Sequence, residues 1–131
     1  IVGVIDYKCA GLRKLPEVVT HNATKRTGIK VIQFAKQLQD SGVGEILLNS
    51  VDRDGTMIGY DLEMIDKVSK EISVPLTVLG GAGSNEDIKD LIFNYPLIGA
   101  AVGSFFVFKG KYRAVLINYP NQKLRNFIDP K

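Results

Sequence analysis

The 131-residue chain has little of what several common classes of protein need. A single cysteine, Cys9, excludes an internal disulfide and fits a reducing, cytoplasmic setting. With one histidine, His21, there is no His or Cys cluster to hold a metal, and neither metal nor cofactor is expected. Charge of one sign is not in large excess: 17 Lys and Arg against 14 Asp and Glu leave +3. The cations are spread out, with a loose group at Lys109, Lys111 and Arg113, and no basic stripe interleaves with aromatics. A solvated surface is expected, and no nucleic-acid partner. No apolar run is long enough to span a membrane, and no charged-then-apolar leader is present, so no membrane partner is expected. There is no initiator methionine. The chain opens on an apolar strand at Ile1, which is the expectation for a fragment of something larger.

What is present is a repeated junction. The apolar run Glu45-Ile46-Leu47-Leu48-Asn49-Ser50-Val51 ends in Asp52-Arg53-Asp54-Gly55-Thr56. Ile1 to Ile5 runs into Asp6, Leu76 to Leu79 into Gly80-Gly81-Ala82-Gly83, and Ile98 to Val102 into Gly103-Ser104. α/β enzymes place chemistry at the C-terminal ends of strands in this way, because the strand is rigid and the following loop faces substrate. The apolar runs lack period-two alternation, as strands covered on both faces do.

Helices are expected between the strands. One spans about Ile29 to Asp40, with Val31, Phe34, Ala35 and Leu38 on one face. Asp61 caps a second, with inner face Leu62, Ile65, Val68 and Ile72; Ser84 caps a third, carrying Ile88, Leu91 and Ile92. Tyr7 to Gly28 reads as an irregular, mobile active-site loop holding His21. The order is a (βα)4 array whose two βαβα halves form a weak internal repeat. Residues 1–108 are expected to form this unit. Residues 109–131 are expected to be a tail, polar and loosely packed from Asn118, with a last helix or strand around Arg113 to Tyr119.

Gly44 to Asp61, with its Asp-Arg-Asp-Gly-Thr motif, resembles the sixth strand and loop of the cyclase subunit of imidazole glycerol phosphate synthase. Gly80-Gly81-Ala82-Gly83 resembles that family's seventh-strand phosphate loop, and Val4-Ile5-Asp6-Tyr7-Lys8 its fifth strand. The resemblance covers about residues 1 to 108. It implies a parallel (βα)8 barrel of the TIM type, of which this chain is the C-terminal half, strands five to eight. It also implies a heterodimeric glutaminase partner, whose ammonia reacts with a bis-phosphorylated aminoimidazole carboxamide nucleotide to give imidazole glycerol phosphate and the carboxamide ribotide.

Such chemistry needs protons delivered and removed at close range. Asp6, between an apolar run and a lysine, is the best general acid in the chain and matches the family's fifth-strand catalytic aspartate; pairing with Lys8 is the structural alternative. The matching base belongs to the first strand, outside this sequence. Asp54 matches an aspartate near the family's substrate and takes a supporting role. Asp52 reads as an ion pair with Arg53. Gly55, Gly80, Gly81, Gly103 and Ser104 are the expected phosphate ligands, through backbone N–H groups and helix N-termini, with Asn49 beside the substrate; tight turns are the alternative for the glycines. Glu45, at the opposite end of its strand, matches a charge ring that gates ammonia at the barrel floor; an exposed strand-edge carboxylate is the alternative.

Departures from the family pattern are specific. Asn49 stands where threonine is usual, Leu79 where a small polar residue is usual, and Gly103 replaces an alanine. The stretch Phe106 to Pro120 also lacks the usual amphipathic last helix. These features resemble cyclase-like paralogues of surface-glycan pathways, which deliver ammonia for sugar amidation. Two further readings stay open: a non-catalytic half-barrel that associates with a copy of itself through open sheet edges, and a phosphate-sugar isomerase on a related half-barrel.

Overall fold

In a computed structural model of the chain, residues 1–10, 15–110 and 112–128 are described. The element order is β1 (Val2–Ala10), β2 (Leu15–Thr20), β3 (Lys25–Lys30), α1 (Val31–Asp40), β4 (Glu45–Ser50), α2 (Leu62–Ser69), β5 (Leu76–Leu79), α3 (Asn85–Asn94) and β6 (Ile98–Ala100). A short α4 (Ser104–Val107), a hairpin of β7 (Phe108–Lys109) and β8 (Ala114–Val115), and α5 (Gln122–Ile128) follow. The main sheet runs β3-β2-β1-β4-β5-β6. Within it β1, β4, β5 and β6 are parallel neighbours in chain order, which is the arrangement of half a (βα)8 barrel.

One face of these strands is packed and the other is open. Ile5 and Tyr7 on β1, Ile46 and Leu48 on β4, and Leu76 and Val78 on β5 are buried. They meet Val31 and Ala35 of α1, Met64, Ile65 and Val68 of α2, and Leu91 of α3 in one core. The residues between them point the other way: Val2 and Val4 are 52% and 53% exposed, and Leu47, Thr77 and Leu79 are half-buried. Burial therefore alternates along each strand, although the side chains are apolar on both faces. The absence of alternation in the sequence reflects a second apolar face that is left open among the described residues.

Local signals set the helix ends. Asp61 accepts a hydrogen bond from the Met64 N–H and opens α2. Ser84 and Asp87 form a reciprocal capping box at α3. Gly42, at φ +83°, turns the chain out of α1, a conformation that costs a residue with a Cβ roughly 1 kcal/mol or more.

Three expectations are corrected. The stretch expected to be irregular, Tyr7 to Gly28, is largely strand in its described part: β1 continues to Ala10, and β2 and β3 form an antiparallel ribbon with it, Tyr7 opposite Val18 and Cys9 opposite Pro16, while residues 11–14 lie outside the described residues. The apolar Val18 and Val19 make the strand possible, and both are buried. On α2, Leu62 is exposed and Met64 is inside. At about 100° per residue Leu62 falls roughly 110° from the centre of the Met64–Ile65–Val68 stripe; Ile72 lies beyond the helix end, partly buried against the core. The tail is also ordered further than expected. The Leu116 and Asn118 N–H groups bond to the Val107 and Phe106 carbonyls, and α5 buries Leu124 while packing on α3. Among the described residues, no helix is long and apolar enough to cross a membrane.

Candidate active site

Asp6, Asn49 and Leu79 stand in one row across β1, β4 and β5, at the C-terminal end of the parallel strands. Asn49 Nδ2 donates to Asp6 Oδ1 at 2.9 Å. Asn49 Oδ1 is buried, with no hydrogen-bond partner among the described residues. An unpaired buried acceptor typically costs about 1–3 kcal/mol, so this site end carries unspent hydrogen-bonding capacity. Among the described residues Asp6 forms no ion pair with Lys8.

The loop after β4 is a turn, not an extended segment. The Arg53 and Asp54 N–H groups both bond back to the Ser50 carbonyl. Asp52 and Asp54 consequently part company. The Asp52 carboxylate accepts from the Cys9 N–H at 2.6 Å and ties the loop to the end of β1. Arg53 donates to the Gly59 carbonyl at 3.1 Å, so the expected Asp52–Arg53 ion pair gives way to two separate anchors. Asp54 turns toward the glycine loops. Beneath them the buried Tyr7 hydroxyl donates to Asp61 Oδ2 at 2.8 Å, linking β1 to the start of α2. Burial, then the Asp61 charge, pushes the Tyr7 hydroxyl well above its ordinary value.

The glycines after β5 have a packing reason. Gly80 and Gly81 sit at φ +99° and +108°, and a Cβ would strike the Ser50 carbonyl at one and the Gly59 carbonyl at the other. The Gly59 N–H bonds to the Gly81 carbonyl at 2.8 Å, so the two loops are pressed together, backbone on backbone. Asp54, Gly55, Gly80, Gly81, Gly103 and Ser104 line one small, open depression, with Leu79, Ala82, Ala101 and Val102 completing it. The electrostatics differ from the sequence expectation in one respect. The Gly83 and Ser84 N–H groups donate to the Asp87 carboxylate, at 2.9 and 3.0 Å, so α3 neutralises its own N-terminus. Gly103 and Ser104 open α4, where N–H groups have no carbonyl one turn earlier to bond.

Glu45 lies at the other end of β4, on the same open face as Asn49 and roughly 13 Å from it along the strand. It accepts from Thr77 Oγ1 at 2.7 Å. His21 is exposed in the β2–β3 turn, away from the pocket, and among the described residues no group of three or more His, Cys, Asp and Glu gathers to hold a metal. Sequence reasoning missed Tyr7, Asp61 and Thr77, whose partners lie 32 to 54 residues away. It also missed Arg113, which the β7–β8 hairpin returns to within 4 Å of where a Cβ on Gly55 would sit.

A parallel βα array with an Asp6–Asn49–Leu79 row and a two-loop glycine pocket at its strand C-termini has the arrangement of half of a TIM-type barrel. The sequence profile described as "Histidine biosynthesis protein" matches residues 1–113, and the chain belongs to that family. It is 52% identical over 121 residues to a protein of Leptospira borgpetersenii provisionally named an imidazole glycerol phosphate synthase subunit HisF, covering 92% of this chain and 48% of the relative. A protein of Vibrio vulnificus, with a likewise provisional name, is 55% identical over 121 residues, covering 92% and 46%. The imidazole glycerol phosphate synthase subunit HisF of Hyphomonas neptunium is 40% identical over 108 residues, 82% of this chain and 42% of its own. The chain spans about half the length of these relatives.

Proposed function

We propose that this chain is the C-terminal half, strands five to eight, of a cyclase subunit of imidazole glycerol phosphate synthase. The carrying observation is that the Asp6–Asn49 pair and the Asp54–Ser104 pocket open at the same end of one parallel sheet, in a member of this family. In this reading the pocket holds one phosphate of the bis-phosphorylated nucleotide. Asp6 delivers a proton as ammonia adds to the substrate carbonyl and the ring closes, and Asp54 supports it. A base from the other half of the barrel completes the pair. Glu45, held by Thr77 at the far end of the open face, belongs to the ammonia entrance, where a glutaminase partner docks. The open face with Val2, Val4 and Leu47 is the barrel interior, which the other half covers.

A second reading shares this frame. Asn49 and Leu79, two of the departures from the family pattern, flank each other in the row that holds Asp6. On the reading of that row as the reacting end, these departures support the paralogue that delivers ammonia for sugar amidation. The test is turnover of the bis-phosphorylated aminoimidazole carboxamide nucleotide with ammonium by the intact protein. Product formation supports the synthase; absence of both binding and turnover removes it and leaves the paralogue, whose acceptor is a sugar.

A further inference from the structure

We propose that Arg113 is an anion-binding residue of the pocket at Gly55 and Ser104, contacting the phosphate directly; this rests on the reading of that pocket as a phosphate site. The hairpin carries Arg113 back from the tail to the rim. Arg113 Nη2 and Ser104 Oγ lie 3.9 and 3.7 Å from the point where a Cβ on Gly55 would sit. A guanidinium and a hydroxyl thus face the same side of Gly55, which itself lines the pocket. Two features fix the guanidinium there. Its central carbon lies over the Phe108 ring, 4.8 Å from the centroid, a cation–π contact that holds the head group near the rim. The Arg113 backbone sits at φ +49° and its N–H closes onto the Gly110 carbonyl at 3.0 Å, so the hairpin holds a conformation that a non-glycine residue rarely adopts.

The electrostatic need is specific. α3 spends its N-terminal turn on Asp87, and Asp54 adds negative charge to the pocket wall. A dianionic phosphate therefore meets backbone N–H groups and a hydroxyl, with a carboxylate nearby. A fixed cation offsets that carboxylate, and a guanidinium matches two phosphate oxygens at once. Among the described residues Arg113 forms no ion pair, so no protein carboxylate already claims its charge.

The experiment is titration of the isotope-labelled chain with inorganic phosphate, reading the amide signals of Gly81, Gly103 and Ser104. The chain should show saturable shifts at these amides. Arg113→Gln should weaken the affinity about tenfold, and Arg113→Lys, keeping the charge without the fork, about threefold. Arg125→Gln, on α5, should change it less than about twofold, separating a contact from general charge. Equal affinity in Arg113→Gln, or equal weakening in Arg125→Gln, overturns the role of Arg113 and leaves the pocket standing. No shift at these amides in the unaltered chain overturns the pocket and Arg113 with it.

Discussion

Asn49 donates to the Asp6 carboxylate across the β1–β4 register while its own carbonyl oxygen is buried with no hydrogen-bond partner among the described residues. One side chain thus holds the candidate acid in place and presents an acceptor to whatever enters beside it. A threonine there is shorter and has one hydroxyl for both tasks, so the exchange alters the site's hydrogen-bonding pattern as well as its size.

Asp6→Asn in the intact protein should lower kcat by roughly 10²–10⁴-fold with little change in substrate binding. An amide keeps the size of the carboxyl group but cannot pass the proton. Steady-state kinetics and equilibrium binding read the two parts separately, and near-parental kcat would reduce Asp6 to a partner for Asn49.

Gly81→Ala and Gly103→Ala should behave oppositely. At Gly81 the added methyl meets the Gly59 carbonyl in a left-handed backbone, and a loss of at least ~2 kcal/mol is expected. At Gly103 nothing lies within 4 Å of the new Cβ and φ is −114°, so the change should fall within about 0.5 kcal/mol. Urea unfolding of both variants checks the contrast.

Alkaline pH should destabilise the chain through its buried tyrosines. Burial raises the Tyr7 and Tyr60 hydroxyls above their ordinary value of 10.0, with the Asp61 and Asp87 charges adding to it. The unfolded chain therefore loses these protons first as pH rises. The stabilisation is complete below pH ~10 and declines above it, by up to about 1.4 kcal/mol per pH unit per tyrosine. Urea midpoints from pH 8 to 11 should fall above 10, and Tyr7→Phe should shallow that fall; an unchanged slope would show that Tyr7 takes no part.

Alone, the chain should self-associate and lack cyclase activity. Val2 to Asp6 pairs through β4 but not through the β2 ribbon, which begins at Tyr7, and the β6 edge is open among the described residues. Unpaired strand edges beside an exposed apolar face favour a two-fold pair. Sedimentation at micromolar concentration reads the first claim, with a clean monomer against it. Ammonium-dependent turnover would refute the second.

The strand-to-loop junctions were legible because each has a sharp local change of composition, from apolar to Asp or Gly. The same locality explains Asp61 and Ser84 as caps. The β2–β3 ribbon was not legible: Pro16, His21 and Asn22 interrupt its pattern, and the strands are completed by pairing with Tyr7 to Ala10. Glu45, Asp52 and Asp61 each acquire a partner from a distant element, Thr77, Cys9 and Tyr7. Spacing in the sequence carries no trace of those pairs. Arg113 lay in plain view among the loose cations; only the reversal of the chain at Gly110 gives it a place.

Alternating burial along β1 and β4 splits the chain's residues between two kinds of selection. Substitutions at Ile5, Ile46 or Leu48 are weighed by packing within these 131 residues, and a stability screen of the chain will rank them correctly. On the half-barrel reading, Val4 and Leu47 answer to neighbours in the other half. Replacing Val4 with serine removes exposed apolar surface, so such a screen would score it as neutral or beneficial. The positions that matter most to an assembled barrel are therefore those whose tolerance the isolated chain most overstates.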